Sequence, residues 1–345
     1  MVTMTTKGEA MPQTRATRNR TITLTAEEIA YYAARCRRGE DPQIGTFAGD
    51  QVIHGDAFES MRHLPHGFAD LLVVDPPYNL SRQFGATKFA QQSKAEYQNF
   101  TRLWIEAAIP LLKPHASVYV CSDWRSSLVI GNVLDEYFHL QNRITWQREK
   151  GRGAKTNWKN SMEDIWFATT DKSKYTFNVD TVKMRRKVVA PYRVDGQPKD
   201  WIETSSGNFR DTYPSNFWDD ISIPYWSMPE NTDHPTQKPE KLFAKLVLAS
   251  SNPGDIVFDP FLGVGTSAVV ARKLGRKFVG IEREVEYCAL AQKRLEIVET
   301  DCSIQGYVEG VFWERNTLAA QKQNLNTSAP LKRANTNLLE GILNV

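Results

Sequence analysis

The stretch Ala69-Asp70-Leu71-Leu72-Val73-Val74 runs straight into Asp75-Pro76-Pro77-Tyr78, and this junction limits the possible folds more than any other. An apolar run of that length, rich in Val and Leu, reads as a strand buried on both faces, the habit of parallel sheets. Neither proline can donate to a sheet ladder, and each fixes its own φ at about −65°. Pro77 also keeps Pro76 out of the helical region. The strand therefore ends in a stiff, extended turn at the carboxyl edge of a sheet, where open α/β folds bind ligands. A carboxylate, a carbonyl and an aromatic ring converge there, a socket suited to a planar group bearing an NH2. Asp and Pro also build ordinary surface turns, so the rest of the chain must decide between the two readings.

The remaining sequence alternates strands and helices. Thr25-Ala26-Glu27-Glu28 opens a helix, with Thr25 as N-cap and Glu28 as its capping-box partner, that runs to Arg38 before Gly39. Its Arg35, Arg37 and Arg38 suit either phosphate contact or a solvated helix end. Residues 1–21 are polar and basic and read as a disordered arm. Gln51 to His54 is a short strand, followed by Gly55-Asp56 and a helix from Ala57 to Leu64. Asp56 can accept from a ligand amine or cap that helix. Residues 79–96 form a polar loop beside the strand edge, a candidate lid or DNA-contacting loop. A helix with apolar positions from Phe100 to Leu111 follows, stopped by Pro114. Strands at 117–121 and 143–146 flank a helix at 126–137, which implies βαβ units and a parallel sheet.

The pattern then breaks. Residues 148–155 are a basic loop with glycines, whose Arg148, Lys150, Arg152 and Lys155 are expected to hold DNA phosphates, and Ile165 to Ala168 is a strand. From 171 to 233 no helical period persists; Trp, Tyr, Arg and Pro abound, as in the run Lys183 to Lys187. Basic side chains among aromatics suit a nucleic-acid surface, and an irregular structural insertion is the other reading.

Order returns at His234-Pro235-Thr236-Gln237-Lys238-Pro239, which leads into a helix with Pro239 in its first turn. The strand Asp255 to Phe258 runs into Asp259-Pro260-Phe261-Leu262-Gly263-Val264-Gly265-Thr266, then a helix from Ser267 to Leu274 and the strand Lys277 to Glu282. This is a nucleotide-type βαβ unit. Gly263 and Gly265 let backbone approach a ligand, the helix amino terminus favours an anion, and Glu282 is placed for ribose hydroxyls. The missing third glycine counts against NAD or FAD, and the missing loop lysine against a Walker-type ATP site. A nucleoside carrying a carboxylate fits better, namely S-adenosyl-L-methionine. Beyond Ile304 the chain is polar and weakly patterned.

Together these blocks resemble the beta class of amino DNA methyltransferases (the N6-adenine and N4-cytosine family), in which Asp-Pro-Pro-Tyr precedes the S-adenosylmethionine block. The resemblance spans roughly residues 50 to 300. It implies an α/β, circularly permuted, Rossmann-like methyltransferase fold. Such a fold has a mostly parallel seven-stranded sheet, helices on both faces, an antiparallel final hairpin and an inserted target-recognition region. Carried over by position, Asp75, Pro76, Pro77 and Tyr78 would hold the target base. Asp259, Phe261, Gly263, Gly265, Thr266 and Glu282 would hold the cofactor, and Asp56 would meet its adenine. His234 and Lys238 would lie near its methionine end, although helix capping explains both as well. The division expected is 1–45 as arm and helix, 46–147 as catalytic half, 148–233 as target-recognition insertion, 234–300 as cofactor half, and 301–345 as a tail without an assigned role.

The implied activity is methyl transfer to the N6 amine of a flipped-out adenine in a specific DNA sequence. An N4-cytosine enzyme presents the same amine geometry, although Asp at position 75 leans toward adenine within the family. A catalytically inactive DNA-binding protein is the alternative from another class. No metal is called for. Expected partners are double-stranded DNA, a second copy of the chain as a homodimer, and a cognate restriction endonuclease. Net charge of +3, scattered Cys36, Cys121, Cys288 and Cys302, and no apolar stretch of membrane-spanning length lead to the expectation of a soluble, cytoplasmic, nucleoid-associated protein.

Overall fold

The computed structural model describes residues 16–45, 49–84, 87–148, 155–188, 192–204 and 207–314. In chain order come α1 (Ala26–Ala33), β1 (Arg37–Arg38), β2 (Gln51–His54), α2 (Ala57–Met61), β3 (Ala69–Val74), the hairpin of β4 (Arg82–Phe84) and β5 (Thr87–Phe89), α3 (Lys94–Ala108), β6 (Leu112–Ser122), α4 (Ser127–Tyr137) and β7 (His139–Gln147). Next are β8 (Met162–Thr169), β9 (Met184–Lys187), the hairpin of β10 (Arg193–Val194) and β11 (Gln197–Pro198), β12 (Ile202–Thr204), β13 (Gly207–Thr212) and β14 (Phe217–Trp218). The last elements are α5 (Glu240–Ser250), β15 (Ile256–Asp259), α6 (Thr266–Lys273), β16 (Lys277–Glu282), α7 (Val285–Val298), β17 (Tyr307–Val308) and β18 (Val311–Trp313).

A central sheet runs in the order β1-β2-β16-β15-β3-β6-β8-β7-β14. Every neighbouring pair is parallel except those of β8, which is antiparallel to both β6 and β7. The expected seven strands are its inner members, and the two-residue strands β1 and β14 extend the edges. The chain leaves β3 toward β6 but leaves β15 toward β16. A crevice opens where connections part in this way. Val257 lies opposite Leu71 and Phe258 opposite Leu72, so Asp259 and Asp75 leave adjacent strands at the same edge.

Alternation along β3 builds two cores. Leu71 and Val73 join the cluster under α5, α6 and α7, whereas Leu72 and Val74 join the cluster under α2, α3 and α4. All six residues of β3 are buried, which is why the strand reads as a continuous apolar run.

Several local expectations are corrected. The first helix has its Thr25–Glu28 capping box but ends at Ala33; Arg37 and Arg38 pair with Ile53 and His54, because the open edge of β2 offers them a ladder. The loop expected over 79–96 contains the β4–β5 hairpin, and α3 starts at Lys94, behind a capping box of Ser93 and Glu96. Pro114 lies in β6 instead of ending a helix. It occupies the irregular stretch where the register with β3 passes from Ala69–Leu112 to Leu71–Ser117, a place in a sheet that tolerates proline.

The segment 148–233 is not one continuous insertion, since β8 is an inner strand of the central sheet. Of its other strands, β14 edges the central sheet, β10 and β11 pair with each other, and β9, β12 and β13 join β17 and β18 in a second sheet ordered β12-β13-β9-β18-β17. The tail thus has a structural part: Phe312 pairs with Met184, and Val311, Phe312 and Trp313 are buried. The arm, where described, is also held. Arg20 N–H donates to the Trp226 carbonyl at 2.6 Å and Ile22 N–H to that of Asn231 at 2.8 Å. No helix among the described residues is long and apolar enough to cross a membrane.

Candidate active site

A cleft of ≈ 320 Å³ opens at the carboxyl edge where β3 and β15 part. Asp56, Asp75 to Tyr78, Arg148, His234, Lys238, Asp259, Phe261, Gly263, Thr266 and Glu282 all line it. Gly265 does not; its φ of +81 turns the chain into α6, and it packs on Ala291. Lys155 is exposed away from the cleft, and Lys150 and Arg152 lie outside the described residues.

On the β15–β16 side, carboxylates shape the loop. Asp259 accepts from Phe261 N–H at 3.0 Å and from the Ser267 hydroxyl at 2.6 Å. Burial pushes its carboxyl up to about 7, against these two hydrogen bonds. Glu282 takes the N–H groups of Gly263 at 2.8 Å and Glu284 at 2.7 Å, and burial raises its pKa as well. Asp56 caps α2 through Phe58 N–H at 3.0 Å, one of its two readings, and also lines the cleft. The His234 ring meets Tyr287 edge-on at 4.6 Å. Arg294 was not legible as part of this loop. It reaches from α7 to the Val264 carbonyl at 2.7 Å and the Thr266 hydroxyl at 3.1 Å, and it pairs with Glu240 at 2.8 Å.

The β3 side is organised by charge. The Tyr78 hydroxyl donates to Asp75 Oδ1 at 2.8 Å, and Lys238 Nζ donates to Asp75 Oδ2 at 2.7 Å. Glu163, at the start of β8, stands beside both donors, 3.3 Å from the Tyr78 hydroxyl and 3.3 Å from Lys238 Nζ. Its other oxygen takes Arg148 Nη1 at 2.5 Å. Burial opposes the Lys238 charge, but Asp75 and Glu163 outweigh it and hold its pKa above the ordinary lysine range. Burial, then the neighbouring Asp75 and Glu163, raise the Tyr78 phenol. Tyr97 fixes the turn by donating to the Pro77 carbonyl at 3.1 Å.

The surroundings of three expected residues are now defined. Lys238 sits on the Asp75 carboxylate, within reach of both that partly buried acid and the buried Glu163. Arg148 is drawn inward to Glu163 instead of presenting itself to phosphate. Tyr78 turns its hydroxyl onto Asp75, with Lys238 Nζ 5.1 Å from its ring centre. The basic run at 183–187 is also largely engaged within the protein: Arg185 forks onto Asp211 at 2.8 Å, Lys183 meets Asp180 at 2.7 Å and Arg186 meets Glu314 at 3.1 Å. The sequence does not single out Glu163, because the apolar run that marks its strand starts at Ile165. An acid pair, Glu163-Asp164, abutting an apolar run was the available signal.

A model of the DNA methylase family matches residues 69–293. The type II methyltransferase M.HpaI of Haemophilus parainfluenzae is 33% identical over 248 residues, 71% of this chain and 74% of that protein. The DNA adenine methyltransferase YhdJ of Escherichia coli (strain K12) is 33% identical over 266 residues, 76% of this chain and 87% of that protein. Among solved structures, the PvuII DNA methyltransferase (cytosine-N4-specific) is similar in fold, with a TM-score of 0.54 at 16% identity over 74% of this chain and 92% of that one.

Proposed function

The chain belongs to the DNA methylase family, and from that premise we propose that it methylates the N6 amine of an adenine at a specific site in double-stranded DNA. S-adenosylmethionine, when bound, supplies the electrophilic methyl group. The observation that carries the reading is the meeting of the Asp75-Pro76-Pro77-Tyr78 turn and the Gly263 loop in one cleft. The residues on the loop side fit that cofactor. A Cβ at Gly263 would meet only the His234 ring, at 3.7 Å, so the backbone is open to a ligand. Glu282 and Asp56 offer acceptors for ribose hydroxyls and an adenine amine, Phe261 an apolar wall, and the start of α6 a place for a carboxylate.

The rest of the chemistry falls to the chain's own side chains. An exocyclic amine on a base is a poor nucleophile because its lone pair is delocalised into the ring. Hydrogen bonds from that NH2 to the Asp75 carboxylate and the Pro76 carbonyl draw the nitrogen toward a tetrahedral shape and localise the pair. The stiff Pro76-Pro77 turn holds both acceptors in place, which is catalysis by positioning. The base must leave the duplex to reach them. Exposed Lys155, Trp158, Tyr192 and Tyr213, on the segments after β7, support those segments as the surface that meets DNA. The likeness to an adenine-specific relative favours adenine over cytosine.

Radiolabel transfer from S-adenosylmethionine to unmethylated duplex DNA, followed by nucleoside analysis, tests the reading. N6-methyladenine is expected, and N4-methylcytosine would reassign the base. Asp75→Ala should lower turnover at least about a hundredfold while equilibrium binding of S-adenosylmethionine persists. Near-parental turnover in that variant would remove Asp75 from the chemistry.

A further inference from the structure

Both oxygens of Asp75 are occupied. Oδ1 holds the Tyr78 hydroxyl at 2.8 Å and Oδ2 holds Lys238 Nζ at 2.7 Å. Each oxygen can take a second hydrogen bond, but an ammonium and a hydroxyl already draw on its charge, so Asp75 becomes a stronger acceptor for the target amine when a donor turns away. Lys238 cannot turn to bulk water, because its side chain is only 5% exposed, and the Tyr78 hydroxyl is itself partly buried. A buried ammonium or hydroxyl that loses its partner carries a heavy desolvation penalty unless another acceptor is at hand.

Such an acceptor is already in place. Glu163 Oε2 lies 3.3 Å from the Tyr78 hydroxyl and 3.3 Å from Lys238 Nζ, a second partner for each donor. Arg148 binds Oε1 at 2.5 Å, which orients the carboxylate so that Oε2 faces the pair. Two carboxylates, Asp75 and Glu163, are balanced by two cations, Lys238 and Arg148, so the ammonium can pass from one acid to the other without changing the cluster's charge. A shift of well under 1 Å, about the difference between the 2.7 Å and 3.3 Å contacts, reverses its preference.

We infer that Glu163 is a positioning residue for Asp75, the acceptor to which Lys238 and Tyr78 turn when the target amine takes their place. The inference rests on the proposed amine methylation and adds to it a residue of the cleft wall that acts through Asp75. Glu163 lets Asp75 be both a shielded carboxylate before the base arrives and an available one afterwards. A neutral side chain of the same shape would bind the ammonium less well, since it keeps a hydrogen bond but loses the attraction between opposite charges. Lys238 would then stay on Asp75 and compete with the base.

The test is single-turnover methyl transfer at saturating DNA and S-adenosylmethionine. Glu163→Gln should slow the step by about 10- to 100-fold, the scale of one misplaced polar group, with both equilibrium affinities changed by less than about threefold. In a Lys238→Met background, where the ammonium is absent, adding Glu163→Gln should cost no more than about threefold. Equal losses in the two backgrounds would overturn the inference, as would weakened binding with an unchanged saturated rate. If Glu163→Gln fails to fold, the parental enzyme decides. In a crystal structure with duplex DNA and a non-transferable cofactor analogue, Lys238 Nζ should lie nearer Glu163 than Asp75. An ammonium still closest to Asp75 with adenine in the cleft would refute it. A parental enzyme that transfers no methyl group would instead refute the proposed function.

Discussion

A methyl group added at Gly265 would lie 2.7 Å from the Ala291 Cβ and 3.1 Å from its Cα, on a backbone with φ of +81. The same methyl at Gly263 would meet only His234, at 3.7 Å, with φ of +55. Two glycines in one loop thus serve different ends: one seats α6 against α7, and the other faces the cleft. Gly265→Ala should lower stability by about 2–4 kcal/mol, from left-handed strain and overpacking, while the folded fraction still binds S-adenosylmethionine. Gly263→Val should fold, by circular dichroism, yet lose cofactor affinity. Calorimetric melting and cofactor titration on both variants separate the roles, and identical behaviour would show that the loop acts as one unit. The loop's glycines and the Asp75 turn were legible because their chemistry follows from backbone limits on Gly and Pro. The partners of Asp75 were not. Which cation reaches it, and that Glu163 stands behind both donors, depend on strands far apart in sequence meeting at one edge.

Among the elements, β18 shows how a short strand can matter more than its length suggests. Phe312 and Trp313 are buried, and Lys241 on α5 donates to the Trp313 carbonyl at 2.6 Å. Phe312→Ala should therefore cost about 3–5 kcal/mol, read from urea unfolding. A loss under about 1 kcal/mol would mean that the second sheet is an ornament to the fold. Three residues are too few to show a period, and their partner β9 lies far back in the chain, so the tail looked unpatterned. The long α5 and the strands β15 and β16 were plain for the opposite reason, since each is long enough to carry its own pattern. The loop after β7 divides similarly between its ends. Arg148 is tied to Glu163 at 2.5 Å, whereas Lys155 is exposed. Lys155→Ala should flatten the slope of log DNA affinity against log salt by up to about one, and leave the methylated sequence unchanged. Arg148→Met should slow methyl transfer with little change in that slope. A slope that responds to Arg148 instead would mean that its guanidinium swings out onto phosphate.

Across the whole molecule, a buried chain of charge links the loop before α5 to α5, α6 and α7. Glu230 accepts from Glu240 N–H at 2.7 Å, and Glu240 in turn binds Lys273 at 2.7 Å and Arg294 at 2.8 Å. Burial, then the charge of Glu240, push the Glu230 carboxyl from 4.5 up to about 8. Between those two values the folded chain keeps a proton that the unfolded chain gives up. The stability from this group is complete below about pH 4.5 and is lost as pH climbs toward 8. The urea midpoint should accordingly fall between about pH 5 and pH 7.5, and Glu230→Gln should shrink that fall. A pH slope unaltered in the variant would exclude Glu230 as its source. The order of strands in the central sheet bears on how the protein is made. β2 and β3 leave the ribosome early, but β16 and β15 lie between them, so neither has its inner neighbour until residues 256–282 are synthesised. The sheet can close only after those residues emerge, and its nascent half carries open strand edges meanwhile. An unfinished chain therefore already contains Asp75 but has no cleft around it, which withholds the modifying activity until residues 256–282 have joined the sheet.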